Sequence, residues 1–172
     1  IRKDLAFFGQ FGKKGVGYYV TELKESLGNI LGLDHHWNVA IIGMGHLGAA
    51  LANYQGIARL GFRLAAIFDA NPVVIGTRVG ERRVEDIAYL AEIIAERAIQ
   101  IGVIAVPAAA AQEVADRLVD AGIRGIWNFA PVKLQVPPSI AFVSEDLSVG
   151  LSSLSYYLTH TTEDEDDLSE KN

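Results

Sequence analysis

Three glycines spaced G-x-G-x-x-G are the first residues of this sequence that indicate a chemical task. Gly43, Gly45 and Gly48 follow the apolar run WNVAIIG (37–43), which predicts a buried parallel strand, and they open the run 45–56, which predicts a helix. In such a turn the first glycine permits a tight bend, the second lets a pyrophosphate approach the backbone, and the third lets helix and strand pack closely. The N–H groups at the helix N-terminus would face the phosphates.

A carboxylate follows at the position that a dinucleotide site requires. Asp69 ends the second predicted strand, RLAAIFD (63–69), about 20 residues after Gly48. There it would accept hydrogen bonds from the adenosine ribose and repel a 2′-phosphate, so NADH and NAD⁺ are expected rather than their phosphorylated counterparts. The alternative is that the three glycines serve only for packing. In that case the strand before them, the helix after them and the acid at Asp69 would be a coincidence. The other loop residues predicted to belong to this site are Met44, His46 and Leu47.

The rest of the chain predicts an α/β fold. Its strand and helix patterns alternate, and this gives a Rossmann-type parallel sheet with helices on both faces. We expect this domain over 35–146, preceded by a linker segment 21–34 that holds an amphipathic helix, 21–32. The further predicted elements are strands over 99–107, 125–131 and 140–146 and helices over 84–97 and 108–122.

Two segments come where ligands bind in open α/β sheets, beyond the carboxyl ends of strands. They are Val106–Pro107 and Asn128–Phe129. The pattern leaves two interpretations open, because proline also terminates strands and Phe129 is equally suited to the core. Tyr54, at the end of the first predicted helix, is likewise as consistent with packing as with ligand contact.

Leucines at helical spacing mark the segment LSVGLSSLSYYLTH (147–160). Leu147, Leu151, Leu154 and Leu158 form an apolar seam suited to another helix. The seam either packs on the chain's own sheet or meets a second subunit, and the spacing does not choose between them.

Charge is distributed unevenly along the chain. The net charge is −6, and segment 161–172 alone contains six acids and one lysine, a composition typical of a solvated, disordered tail. Residues 1–20 carry Arg2, Lys3, Lys13 and Lys14 against one acid. This basic segment is interpreted either as a solvated hairpin or as the second half of a winged helix, with a helix in the major groove and a wing along the phosphates.

Several classes of protein are disfavoured. The sequence has no cysteine, which excludes disulfides and thiolate chemistry and fits a reducing cytoplasm. No apolar run approaches the roughly 18–20 residues that cross a membrane. The four histidines have no metal-ligand spacing, and no catalytic triad pattern is present. A dinucleotide site without catalytic residues points to a sensor or to a fragment of an enzyme.

The segment IRKDLAFFGQFGKKGVGYYV resembles the recognition helix and wing of the bacterial redox-sensing transcriptional repressors of the Rex family. The resemblance runs from Ile1 to about His160. It implies a winged helix that binds operator DNA, a Rossmann domain that binds NADH or NAD⁺, and a homodimer with a swapped C-terminal helix. It further implies a cytoplasmic regulator, not an enzyme, that leaves DNA when NADH is high. The other matching segments are GMGHLGAALANY, FDANPVVIG, VPAAAAQEVADRLVDAGIRGIWNFAPVKLQVP and EDLSVGLSSLSYYL.

The same resemblance assigns roles to individual residues. Residues 43–48 would bind pyrophosphate and Asp69 the ribose, while Tyr54 and Asp146 resemble residues that rearrange between the oxidised and reduced forms. The residues expected near the nicotinamide are Val106, Pro107, Asn128 and Phe129. The residues expected to contact DNA are Arg2, Lys3, Lys13 and Lys14. The residues expected in the dimer helix are Leu147, Leu151, Leu154, Tyr157 and Leu158. The first helices of a winged-helix domain are expected to be missing from this sequence.

Two other functions compete with this one. The first is a fragment of an NAD-dependent oxidoreductase, which steady turnover of nicotinamide would reveal. The second is a CoA-binding Rossmann module, which would give no reason for Asp69 or for the basic N-terminal segment. Competition between CoA and NADH distinguishes the second alternative from a redox sensor.

Overall fold

A computed structural model describes residues 20–30 and 36–160 of the chain. The predicted recognition helix and wing, with Arg2, Lys3, Lys13 and Lys14, fall outside these residues, as does the predicted disorder of 161–172. The amphipathic linker helix is present as α1, Val20–Ile30.

Seven strands form one sheet at the centre of the fold. Their order is β3-β4-β2-β1-β5-β6-β7, and all neighbours pair in parallel except β3 and β4. The Rossmann-type sheet predicted from the sequence is confirmed. The chain moves outward from β1 to β2 on one side and returns to β5 on the other, which places a topological switch point between β1 and β5. The strands are β1 Trp37–Ile42, β2 Phe62–Asp69, β3 Arg78–Val79, β4 Arg82–Asp86, β5 Ile101–Ile104, β6 Gly125–Asn128 and β7 Ala141–Ser144.

Helices cover both faces of the sheet, as predicted. The larger apolar cluster joins one face to α4 and α5 through residues such as Leu90, Ile94 and Leu118. The smaller cluster, around Val39 and Ile41 of β1, is covered by α2. The helices after α1 are α2 His46–Ala52, α3 Gln55–Arg59, α4 Leu90–Glu96, α5 Ala108–Asp120 and α6 Ser148–His160.

The predicted helix 84–97 is wrong at its start. Residues 84–86 belong to β4, where Val84 is 2% exposed and pairs with Ile67 of β2. The carboxylate of Asp86 accepts a hydrogen bond from Ala88 N–H at 2.8 Å and begins a short 3₁₀ turn, so α4 starts only at Leu90. The antiparallel pairing of β3 with β4, in which Arg78 lies opposite Arg83, was not predicted.

The predicted helix 45–56 is divided in two. The side-chain amide of Asn53 donates to Ala49 O at 2.8 Å, and Tyr54 follows with an extended ψ of 103°. The chain therefore leaves α2 after Ala52 and starts α3 at Gln55.

The C-terminal helix α6 is exposed along its whole length in the part of the chain that the structure describes. Every residue of Ser148–His160 is exposed, including Leu151 (70%) and Leu158 (75%). Within the described residues, no helix is both long and apolar enough to cross a membrane.

Candidate functional site

A cleft of about 730 Å³ opens at the carboxyl ends of the central strands. It lies beyond Ile42 of β1, Asp69 of β2 and β5, at the switch point where open α/β sheets bind ligands. Its volume is in the range of small-molecule and cofactor sites. The loop after β1, the loop after β2 and one side of α5 form its walls.

The glycine loop forms one wall, and each glycine has a different reason to lack a side chain. Gly43 has a φ of +98°, and a Cβ there would come within 2.7 Å of Ala105 O. A Cβ on Gly48 would overlap the carbonyl oxygen of Gly43, so Gly48 brings α2 close to the end of β1. A Cβ on Gly45 would meet no atom within 4 Å. The protein itself therefore needs Gly43 and Gly48, whereas the space beside Gly45 belongs to the cleft.

Asp69 is fixed at the mouth of the cleft by two backbone groups. Its Oδ2 accepts from Met44 N–H at 2.6 Å, and its Oδ1 accepts from Asn71 N–H at 2.7 Å. An ionised carboxylate has about four acceptor sites, so two remain for hydroxyl groups of a ligand. The arrangement ties the end of β2 to the glycine loop and presents acceptors to the cleft.

The end of the cleft beyond Asp69 is mostly apolar and was not predicted. Val74, Ile87 and Val114 line it, and Arg117 of α5 joins them. The Arg117 side chain donates from Nη2 to the carbonyl oxygen of Ile87, which fixes its guanidinium beside the apolar wall. The helical spacing of Val114 and Arg117 after Pro107 would have indicated one face of a helix turned toward the cleft.

The opposite end of the cleft contains three of the residues predicted near the nicotinamide. Val106, Pro107 and Phe129 line it. The Asn128 side chain is completely buried and does not line it. Its Nδ2 donates to the carbonyl oxygens of Ala130 and Val132 and to Ser144 Oγ, and its Oδ1 accepts from Ala130 N–H at 3.0 Å. These bonds hold the turn after β6 in place. They occupy both the donor and the acceptor atoms of the Asn128 side-chain amide.

Tyr54 and Asp146 also lie outside the cleft lining. Tyr54 is 64% exposed and borders a separate apolar cavity of about 210 Å³ between α2, α3 and the sheet. Asp146 follows β7 at the carboxyl edge of the sheet, and its Oδ1 accepts from Ser148 Oγ at 2.6 Å and from Ser148 N–H at 2.8 Å. These two bonds, the hydroxyl first, lower the pKa of Asp146 below its ordinary value of 3.8.

The other predicted site residues divide between the cleft and the surface. Met44, Gly45, His46 and Leu47 line the cleft beside Gly43. The residues predicted in the dimer helix are exposed by 58% or more, and these are Leu147, Leu151, Leu154, Tyr157 and Leu158. Over residues 20–30 and 36–160, no group of three His, Cys, Asp or Glu side chains is arranged to hold a metal ion.

A family model and several curated relatives are similar to this chain. A family model described as a CoA binding domain matches residues 34–132. The redox-sensing transcriptional repressor Rex of Chloroflexus aurantiacus is 47% identical over 163 residues, which are 95% of this chain and 77% of the relative. The Rex of Clostridium perfringens is 47% identical over 93% of this chain and 76% of its own.

Solved structures of a Rex-family repressor, RSP, resemble the whole chain. The complex of RSP with NAD⁺ and operator DNA has a TM-score of 0.90 at 42% identity, covering 99% of this chain and 79% of that one. The complex of RSP with NADH has a TM-score of 0.83 at the same identity, covering 99% and 77%.

Proposed function

Because the chain belongs to the Rex family of redox-sensing transcriptional repressors, we propose that it binds NADH and NAD⁺ in the cleft and controls transcription by binding operator DNA. NADH lowers its affinity for the operator, so the repressed genes are expressed when NADH is abundant. In this proposal the protein is a cytoplasmic regulator and performs no catalysis.

The observation that carries the proposal is the pairing of an open backbone with a fixed carboxylate. Gly45 leaves space for a pyrophosphate at the start of α2, where N–H groups and the helix dipole favour phosphate. Asp69 would accept from the adenosine ribose with the acceptor sites that Met44 and Asn71 leave free. The residues of the cleft therefore fit NADH and NAD⁺.

The two ends of the cleft suit the two ends of a dinucleotide. The apolar wall of Val74 and Ile87, with Arg117 beside it, would hold the adenine. Val106, Pro107 and Phe129 would lie beside the nicotinamide, and the buried Asn128 would support them by fixing the turn that carries Phe129. Gly48 acts indirectly, by holding α2 against β1.

Charge at Asp69 argues against two competing ligands. A 2′-phosphate on the ribose would be repelled by this carboxylate, which favours NADH over NADPH. CoA carries a phosphate on the same ribose, so the match to a CoA binding domain describes the fold of residues 34–132 better than the ligand. Displacement of NADH by equimolar CoA would instead support a CoA-binding module.

The exposed helix α6 supports a homodimer. Isolated exposed leucines are ordinary on protein surfaces, but Leu151, Leu154 and Leu158 are three on one short helix whose residues are all exposed among the described ranges 20–30 and 36–160. We propose that α6, within the segment 147–160, inserts into the partner subunit. The remaining segments would be a DNA-binding part in 1–20 with Arg2, Lys3, Lys13 and Lys14, the linker 21–34 and the nucleotide domain 35–146.

Asp146 is the residue that we propose distinguishes the two redox forms. The nicotinamide ring is positively charged only in NAD⁺, so a carboxylate near it favours NAD⁺ over NADH. Asp146 lies two residues before α6 and accepts hydrogen bonds from its first residue, Ser148, so a change in the partners of Asp146 would act directly on the proposed dimer helix. Asp146→Ala should narrow the difference between NADH and NAD⁺ affinities in calorimetry, and an unchanged ratio would remove Asp146 from this role.

The decisive experiment titrates the full-length protein with the operator DNA of RSP. We expect operator affinity to be about 5- to 150-fold lower in NADH than in NAD⁺, the range of ordinary allosteric coupling, and to fall steeply with salt. Gly45→Ala is the matched control, because it should bind the operator but lose the response to NADH. Equal affinity in both nucleotides would refute the proposal, and steady nicotinamide turnover would support an oxidoreductase.

A further inference from the structure

The side chain of Tyr54 lies directly over Gly56. A Cβ built on Gly56 would be 2.5 Å from Cε1 and Cζ of Tyr54 and 2.7 Å from its Oη. Carbon atoms in contact are normally about 3.5–4.0 Å apart, so no side chain fits between this ring and the helix backbone. The ring occupies the place where a side chain on the second residue of α3 would otherwise stand.

The backbone around Tyr54 explains why the ring takes this place. Tyr54 is the N-cap residue of α3, with φ −78° and ψ 103°, and Gly56 is the second residue of the helix. The glycine has no positive φ, so its backbone does not require glycine. Glycine in a helix costs about 0.5–1 kcal/mol relative to alanine. At Gly56 this cost is accompanied by space for the Tyr54 ring, which an alanine side chain would fill.

Much of the ring is open to solvent. It is 64% exposed and borders the apolar cavity of about 210 Å³ together with Leu51 and Ile57. An exposed tyrosine changes rotamer on a timescale of picoseconds to nanoseconds, unless its neighbours prevent it. The space above Gly56 therefore defines the position of the ring in this structure, and the exposure of the ring is consistent with its moving.

We infer that Gly56 is a positioning residue for redox sensing, because its missing Cβ creates the resting position of Tyr54. This inference rests on the proposed function and on the role that the family resemblance implies for Tyr54, as a residue that rearranges between the oxidised and reduced forms. As part of this inference we assign the ring position over Gly56 to the DNA-binding state, and the direction of the Gly56→Ala effect tests that assignment.

The inference gives a direction for Gly56→Ala. The new methyl group displaces the ring from its resting position, and this removes stabilisation from the DNA-binding state alone. A ligand shifts such an equilibrium only through the difference in its affinity for the two states, so NADH should gain affinity relative to NAD⁺. We expect the NADH-to-NAD⁺ affinity ratio to rise, and operator affinity in NAD⁺ to fall, each by about threefold to tenfold.

A double-mutant cycle with Tyr54→Ala separates this effect from a change in the helix itself. With Tyr54 reduced to alanine, Gly56→Ala has no ring to displace, so the affinity ratio should stay constant and the melting temperature should rise. With Tyr54 present, the same substitution should raise the melting temperature less. Gly28→Ala in α1 is the control, since a Cβ there meets nothing within 4 Å and should leave the ratio unchanged in both backgrounds.

The cycle also separates failure of this inference from failure of the proposed function. An equal shift of the affinity ratio in both backgrounds, or no shift in either, would overturn the positioning role of Gly56. If the parent protein bound neither NADH nor NAD⁺, the proposed function would fall. The melting temperatures would still report whether Tyr54 and Gly56 are coupled, and equal gains with and without Tyr54 would refute the steric contact itself.

Discussion

The carboxylate of Asp69 accepts a hydrogen bond from the backbone N–H of Met44, with 2.6 Å between Oδ2 and N. One acid thus shapes the glycine loop and also offers acceptors to the cleft. The hydrogen bond connects two strands, because Asp69 ends β2 and Met44 follows β1. Substitutions at Asp69 therefore test the loop and the ribose contact together.

Asp69→Ala should lower the affinity for NADH and the affinity for NAD⁺ by similar factors. A hydrogen bond to a charged group contributes about 1.5–3 kcal/mol, which corresponds to about tenfold to hundredfold in affinity. Asp69→Asn should also bind NADPH better than the parent does, since the repelling charge is gone. Calorimetry with the three nucleotides measures both effects.

The control for Asp69 is Asp86, which lies opposite it on the neighbouring strand β4. Its carboxylate also accepts from a backbone N–H, that of Ala88, but it does not line the cleft. Asp86→Ala should leave nucleotide affinity intact. Parent-like affinity in Asp69→Ala would contradict the ribose assignment.

Two glycines of the same loop should respond oppositely to alanine. Gly45→Ala places a methyl group in open cleft, so stability should change by no more than about 0.5 kcal/mol. Its NADH affinity should fall about tenfold to hundredfold, because the methyl group takes ligand space. Gly48→Ala should instead cost about 1–3 kcal/mol of folding free energy through overlap with Gly43. Urea unfolding and NADH titration separate the two, and a stable, tightly binding Gly45→Ala would contradict the phosphate assignment.

Asn128 should matter chiefly for stability. Asn128→Ala removes the acceptor of the buried Ala130 N–H and a donor to the carbonyl oxygens of Ala130 and Val132, and we expect a loss of about 2–3 kcal/mol in urea unfolding. Asn128→Asp should cost more, because a carboxylate cannot donate to those carbonyl oxygens and buries a charge. Asn53→Ala, which removes an exposed amide that bonds only Ala49 O, should change stability much less. Equal stability of the Asn128 variants and the parent would show that the turn does not depend on the amide.

The cap of α6 gives a pH-dependent signal. Hydrogen bonds from Ser148 lower the pKa of Asp146, so they stabilise the folded helix start above the ordinary pKa of 3.8, and this contribution is lost as pH falls through the lowered folded pKa. Ser148→Ala removes the hydroxyl donor, and the pKa of Asp146 should rise toward its ordinary value in an NMR titration. Ser152→Ala should not move it, and an unchanged Asp146 titration in Ser148→Ala would contradict the contact.

Leu151→Asp should convert the proposed homodimer into a monomer. The leucine is 70% exposed in the single chain, so its loss costs the domain little, whereas a charge in a subunit interface is expensive. Sedimentation should show the smaller species, with circular dichroism of the sheet domain unchanged. Ser153→Asp, on the same exposed helix, is the control. A Leu151→Asp dimer at the concentration where the parent is dimeric would exclude α6 from the interface.

The sequence predicted the features that depend on local pattern. The buried runs that form β1 and β2 are apolar and rich in β-branched residues, and the glycines indicate the turn between β1 and α2. The predicted position of the cleft, at the end of β1, therefore agrees with the structure. The start of α4 could not be predicted from the sequence, because the spacing of apolar residues from Val84 onward suits a helix. Residues 84–86 form a strand only because they pair with β2. The inward side chain of Asn128 and the break at Tyr54 likewise depend on contacts that residue types do not announce.

The pairing of Arg78 with Arg83 at one border of the sheet has a consequence for the behaviour of the protein at high concentration. Like charges facing each other across a hairpin reduce its stability. The unpaired border of a sheet is also where a strand from another molecule attaches, and that attachment begins aggregation. With β3 only two residues long and crowded by two guanidinium groups, this border offers such a strand neither length nor an apolar surface. The paired arginines thus lower the stability of the hairpin and at the same time make polymerisation through this border unfavourable.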